Sequence, residues 1–172
     1  MCGGGGGLGG GVRAAPPPPP PPEYNAADVM FLQMLIPQNE QGIEIAHLAA
    51  NRNLEAELKK LAAAIEVTQR TETADMRSWL RAWNQPETTN AHAGHAGHGA
   101  SPDAVAALRT APDAEFPRRF LDVLTGQQQG AAELARTENG PNGGVNAQAR
   151  DLARRVVESR TAEVRQLLNF KT

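Results

Sequence analysis

The sequence has one cysteine, few aromatic residues and no long apolar run, and each shortage excludes something. With Cys2 alone, the 172-residue chain can form no internal disulfide, so cysteine pairing identifies neither a scaffold nor a compartment. No apolar stretch approaches the about 20 residues that a membrane-spanning helix needs. The aromatic residues are Tyr24, Trp79, Trp83 and four Phe, and β-branched runs are missing. Ala, Leu, Glu, Arg and Gln fill the chain instead, a composition that favours helix over sheet. A formal net charge of -2 at pH 7 argues against nucleic acid as a partner. Catalytic signatures are missing as well: there is no G-x-S-x-G elbow, Cys2 has no neighbouring base, and the tract 3–11 lacks the Lys-Ser/Thr and helix of a phosphate loop. The chain reads as a non-enzyme.

What is present begins with Cys2, placed directly before five glycines and, further on, prolines 16–22. A cysteine heading a flexible and then stiff spacer has the layout of a processed bacterial lipoprotein, with Met1 in place of a removed signal peptide. The alternative is an ordinary start followed by a disordered tail. Residues 1–22 are expected to carry no fold and to tether the rest, polyproline reaching about 3.1 Å per residue. This layout predicts lipid attachment at Cys2, membrane association through that anchor, and a place in the bacterial cell envelope facing outward from the cytoplasmic membrane, or else secretion.

One stretch occurs twice. Residues 31–46, FLQMLIPQNEQGIEIA, align with 120–135, FLDVLTGQQQGAAELA, so that Phe-Leu, a later Leu, a pair of amides, Glu and Ala coincide. The first copy lies on a helix starting near Asn25 to Asp28, with Leu32, Ile36, Asn39, Ile43, Ala46 and Ala50 on one face and Phe31, Met34, Gln38, Gly42 and Ile45 beside it. Pro37, matched by Gly126 in the second copy, predicts a weakened helix at the amide pair. The next helix carries Leu54, Leu58, Leu61, Ile65, Thr68, Glu72, Met76, Trp79 and Trp83 on one stripe. The last carries Leu152, Val156, Ser159, Glu163, Leu167 and Phe170, setting Ile65 against Val156, Thr68 against Ser159 and Glu72 against Glu163. Ser101-Pro102 reads as the cap and first turn of a short extra helix. The expected fold is all-α: an up-down-up-down four-helix bundle over 23–172, built from two hairpins (23–84 and 112–172) joined by a His-rich linker at 85–102.

One level of that bundle collects Gln38, Asn39, Gln127 and Gln128, with Glu72 and Glu163 able to join it. Inward polar groups on facing helices are how bundles build metal sites, normally from Glu and His. Neutral amides are poor ligands for transition metals, and the same groups could form a satisfied hydrogen-bond network. Glu72, in line with Ile65 and Met76, needs a partner or a cation if buried, or else reaches solvent at the edge of its stripe. Met34 and Met76 are thioethers suited to copper(I). His47 reads as a surface residue near a helix end. His92, His95 and His98 are evenly spaced in a glycine-rich loop that could wrap copper or zinc weakly, the ordering entropy of such a loop limiting affinity.

Residues 31–46, residues 68–80 (TQRTETADMRSWL) and their second-half counterparts resemble the bacterial domain of unknown function 305 family. The resemblance covers nearly all of 24–170. It implies a ferritin-like helical bundle, commonly exported or lipid-anchored and often linked to copper handling. Each repeat of that family centres on a His-His pair, as in Met-Ile-Pro-His-His; the matching positions here are Gln38-Asn39 and Gln127-Gln128, and Thr125 replaces a methionine. The resemblance therefore implies degenerate ligand positions at Gln38, Asn39, Gln127 and Gln128. It leaves Met34, Met76, Glu72 and Glu163 as a vestigial core set. The functional expectation is a non-enzymatic, envelope-associated bundle of a copper-handling family with a degenerate core, no resident cofactor, and residual weak copper or zinc binding through the His linker. The alternative is a structural or partner-binding module with no metal role, in which Arg150, Arg154, Arg155, Arg160 and Arg165 meet an acidic surface; such a face is more commonly just solvated.

Overall fold

The computed structural model describes Gly11, residues 23–88 and residues 99–170. Five helices account for its regular structure: α1 (Ala26–Leu48), α2 (Ala56–Ala82), α3 (Pro102–Arg109), α4 (Phe116–Glu138) and α5 (Ala147–Asn169), with a 3-10 turn at Ala49–Asn51. The four long ones form a helical bundle in which α1 and α4 pack together at the centre, α2 lies on α1 and α5 on α4. The short α3 leans on α4. None of the described helices is long and apolar enough to cross a membrane.

Local chemistry sets the helix ends. Asn25 caps α1 by accepting from the Asp28 N–H at 3.0 Å, while the Asp28 carboxylate accepts from the Asn25 N–H at 2.8 Å, a reciprocal capping box. Ser101 caps α3 with Pro102 in the first turn, and Asn146 caps α5 by accepting from the Ala149 N–H. At the end of α2, Asn84 adopts a left-handed φ of 53°. Asn84 N–H and Gln85 N–H then bond back to the Arg81 and Leu80 carbonyls, as in a Schellman stop. Tyr24 stacks on Trp83 at 4.6 Å between ring centroids and donates its hydroxyl to the Trp83 carbonyl, tying the entry of α1 to the exit of α2.

The apolar core is divided in two. One cluster holds Phe31, Leu32, Leu35, Ile36, Met76, Leu80, Ala131, Leu134, Leu152 and Val156; the other holds Ile45, Leu58, Ile65, Leu108, Phe116, Phe120, Leu124 and Leu167. On all four long helices a buried polar residue lies between the two sets. Because α1 is covered on nearly every side, it shows no single apolar stripe. It also runs unbroken through Pro37, which sits exposed on its surface.

Three details of the expected stripes are overturned, the first being Ala50, which is exposed in the 3-10 turn beyond the end of α1. On α2, Thr68 is exposed and Gln69 is buried, because the inner face follows Leu58, Ala62, Ile65, Gln69, Glu72, Thr73, Met76 and Leu80. On α5, Arg160 is fully buried rather than on the solvated arginine face, four residues after Val156 in the same inner row. Arg150, Arg154, Arg155 and Arg165 are exposed. Arg154 and Arg155 are engaged by Asp151 and Glu158 on their own helix.

Candidate functional site: the polar layer

The layer between the two apolar clusters is built from amides crossing in pairs. Gln38 Nε2 donates to the Gln127 carbonyl at 3.0 Å, and Gln127 Nε2 donates back to the Gln38 carbonyl at 2.6 Å, locking α1 to α4. Asn39 Nδ2 donates to Glu72 Oε1 at 3.1 Å, and Gln128 Nε2 donates to Glu163 Oε2, so each amide pair also reaches the carboxylate of its own hairpin. Gln69 Nε2 crosses from α2 to Gln128 Oε1 at 2.9 Å. Gly42 makes this crossing possible: a Cβ there would overlap Gln69 Oε1 and lie 2.9 Å from the Gln127 amide.

Among the described residues, Arg160 supplies the only guanidinium in the buried layer. Its Nη1 donates to Glu72 Oε2 at 3.0 Å and to Ser159 Oγ at 3.1 Å; its Nη2 donates to Glu72 Oε1 at 2.5 Å and to Asn39 Oδ1 at 3.1 Å. The fork is bidentate, with Arg160 0% and Glu72 4% exposed. Glu163, half-buried, has no such partner. Burial pushes it up to about 7, aided by the charge of Glu72 and opposed by Arg160 and the Gln128 hydrogen bond.

The arrangement therefore answers what neutralises Glu72: a protein cation, not a metal. With both Glu72 oxygens and the Asn39 oxygen held by Arg160, and with amides at the remaining central positions, the described residues of the layer offer no free carboxylate pair or imidazole for a transition ion. Among the described residues no group of three or more His, Cys, Asp or Glu side chains converges. Of the remaining core residues singled out in the sequence, Met76 is fully buried in the first apolar cluster and Met34 is half-buried on its margin. The layer does not fit a metal centre.

Elsewhere, His47 is an exposed residue whose Nδ1 lies 3.0 Å from Glu66 Oε1. His92, His95, His98, Cys2 and the spacer prolines lie outside the described residues. The two flanks of the His segment are described, and both are pinned to α1. Gln33 Nε2 donates to the Pro86 carbonyl at 2.8 Å; Gln41 Nε2 donates to the Ala100 carbonyl at 2.7 Å, while its Oε1 accepts from the Ala100 N–H at 2.9 Å. Eight residues of helix separate the anchors, about 12 Å at 1.5 Å per residue.

A second buried carboxyl pair closes one end of the bundle. Asp28 Oδ2 accepts from the N–H groups of Asn25, Val145 and Asn146 at 2.8, 3.0 and 3.1 Å, and its other oxygen faces Glu138 beneath Gly144, where any Cβ would overlap both carboxyls. Burial pushes Glu138 up to about 9, with the hydrogen bond and charge of Asp28 adding and Arg150 opposing. Against the upward pull of burial, the hydrogen bond from Glu138 and the backbone N–H groups hold Asp28 below the usual carboxylate range. The two carboxyls are thus pushed in opposite directions, as expected of buried acids too close for both to ionise.

Comparison with known proteins agrees with this architecture. A fragment from Deinococcus radiodurans of the same family is 25% identical with a TM-score of 0.75, covering 86% of this chain and 97% of its own. CopM in its Cu(II)-bound form is 27% identical with a TM-score of 0.68, covering 83% and 94%. CopM in its Cu(I)-bound form is 25% identical with a TM-score of 0.67, covering 85% and 96%. None of the curated proteins compared matches the chain. The family model for DUF305, a domain of unknown function, matches residues 28–171, and the chain belongs to that family.

Proposed function

We propose that this protein is an exported, non-enzymatic bundle related to copper handling, in which the central layer is a metal-free polar lock and any Cu(II) or Zn(II) is taken weakly by His92, His95 and His98. The observation that carries this is Arg160 bonded through both Nη atoms to Glu72: the position where a ligand cage would need charge neutralisation is filled from within. The pinned flanks of the His segment support the second half of the reading. With Pro86 and Ala100 anchored to Gln33 and Gln41, about 12 Å apart along α1, part of the ordering entropy of a metal-bound loop is already met. Similarity to CopM, known in copper-bound forms, supports copper as the relevant ion. The two hairpins are read as copies of one unit, and Cys2 as the lipid attachment point that puts the bundle on the outer face of the cytoplasmic membrane.

The test is a Cu(II) and Zn(II) titration of the full chain alongside H92A/H95A/H98A, with melting temperature recorded for both. The expected result is weak binding lost in the triple variant, and a variant melting temperature that does not move with metal. A metal-dependent rise in the variant would mean that the folded core binds, contrary to this reading. Mass spectrometry of the protein from its native envelope checks Cys2: an unmodified thiol there refutes the anchor.

A further inference from the structure

The geometry points to a thioether site for a soft monovalent cation, Cu(I) or Ag(I), formed by Met30 and Met34 on the outer flank of α1. This deepens the preceding reading and rests on it for the choice of ion. The two methionines are one helical turn apart, and of the chain's four methionines only these two are neighbours on one described face. Both line a half-enclosed cavity of about 200 Å3 between α1 and the end of α4, walled otherwise by Ala27, Phe31, Leu134, Thr137, Glu138 and Asn142. Met30 is 40% exposed and Met34 half-buried, so both side chains are reachable from solvent.

The chemistry of the wall selects the ion. Thioether sulfur is soft and polarizable, and it favours Cu(I) over Zn(II) or hard divalent ions. The one carboxyl in the wall, Glu138, keeps both oxygens out of solvent reach and is engaged with Asp28, so the cavity presents no accessible anionic oxygen that would attract Ca2+ or Mg2+. A cation of low coordination number, needing few donors, matches two sulfurs in a small apolar recess. Thioethers do not protonate in the accessible range, whereas imidazoles do near pH 6.5. Binding at Met30 and Met34 is therefore insensitive to mild acid, and this separates it from the His segment.

The experiment uses the full chain carrying Cys2→Ser, because a thiolate would outcompete thioethers, in the H92A/H95A/H98A background. Ag(I) is titrated calorimetrically in chloride-free buffer at pH 7.4 and pH 5.0. One equivalent is expected to bind, with affinity changing less than about threefold between the two pH values, and M30L/M34L is expected to weaken it at least tenfold. Leu is close to Met in volume, so the fold should hold. Because the double variant could still perturb packing, a second measurement keeps both methionines: methyl-13C-labelled protein, in which Ag(I) should shift the Met30 and Met34 signals and leave Met76 in place. Absence of binding in this background, an unchanged M30L/M34L titration, or a shift of Met76 without the pair would each overturn the proposal. Failure of the Cu(II) and Zn(II) titration described above would instead strike the His-segment reading, so the two are distinguishable.

Discussion

Replacing Arg160 by Met removes the guanidinium and leaves the rest of the layer in place. Glu72, 4% exposed, would keep only the Asn39 Nδ2 bond at 3.1 Å and lose three contacts' worth of compensation: Nη1 at 3.0 Å, Nη2 at 2.5 Å, and the orientation of Asn39 fixed by its own bond to Nη2 at 3.1 Å. Stranding one member of a buried ion pair costs about 3–5 kcal/mol, against a total stability of about 5–15 kcal/mol for an ordinary domain. The second substitution decides the cause. In E72Q/R160M the stranded charge is gone, and a neutral pair of similar volume should regain most of the loss. Urea denaturation followed by far-ultraviolet circular dichroism gives both numbers, and the double-mutant cycle should return a coupling of at least about 2 kcal/mol. An R160M cost below about 1 kcal/mol, or a double variant no more stable than R160M, would refute the view that Arg160 is the internal counter-ion of the layer.

Further outcomes follow from the same geometry. Gly42→Ala should destabilise by about 1–3 kcal/mol, since its Cβ would overlap Gln69 Oε1 and crowd Gln127. The same change at Gly126, where a Cβ meets nothing within 4 Å, should stabilise by about 0.5–1 kcal/mol; denaturant midpoints compare the two. The Asp28–Glu138 pair makes stability pH-dependent. Glu138 holds its proton in the folded state up to about pH 9 and loses it near 4.5 when unfolded, so the native state binds more protons across that window. Stability must therefore fall as pH rises through it, by up to about 1.4 kcal/mol per pH unit. Glu163, raised to about 7, adds a slope of the same sign below that pH, so the window from about pH 7 to 9 isolates Glu138. Glu138→Gln keeps a donor for Asp28 and should flatten the slope there, and an unchanged slope in unfolding curves across that window would argue against a proton held by Glu138.

Local signals were legible in the sequence and distant ones were not. The cap pair Asn25 and Asp28 and the Ser101-Pro102 start are decided within a few residues, and α1 and α3 begin beside them. The inward amides Gln38, Asn39, Gln127 and Gln128 could be placed because helical spacing sets them beside Leu35, Ile36 and Leu124. Gln69 and Arg160 were missed for one reason. Each stands four residues after a core position (Ile65, Val156) and three before a carboxylate (Glu72, Glu163), but long polar side chains are normally exposed, and composition outweighed spacing. A buried carboxylate in the stripe of α2 was the available signal that some cation had to be near. Which residue supplied it depended on the contact of α5 with α2, 88 residues away in sequence. The Asp28–Glu138 pair was equally hidden, since Asp28 already had a sufficient local role as a capping residue.

The uneven distribution of charge in the polar layer also bears on which chains can combine. The first hairpin brings Glu72 and no inward cation; the second brings Arg160 and Glu163 together. Two first hairpins from separate molecules, set face to face, would bury two carboxylates with no guanidinium between them, whereas one first and one second hairpin balance. In a like-with-like pairing of first hairpins one Glu72 would have to take up a proton, as Glu138 does beside Asp28, so the unequal charge of the two hairpins favours first against second.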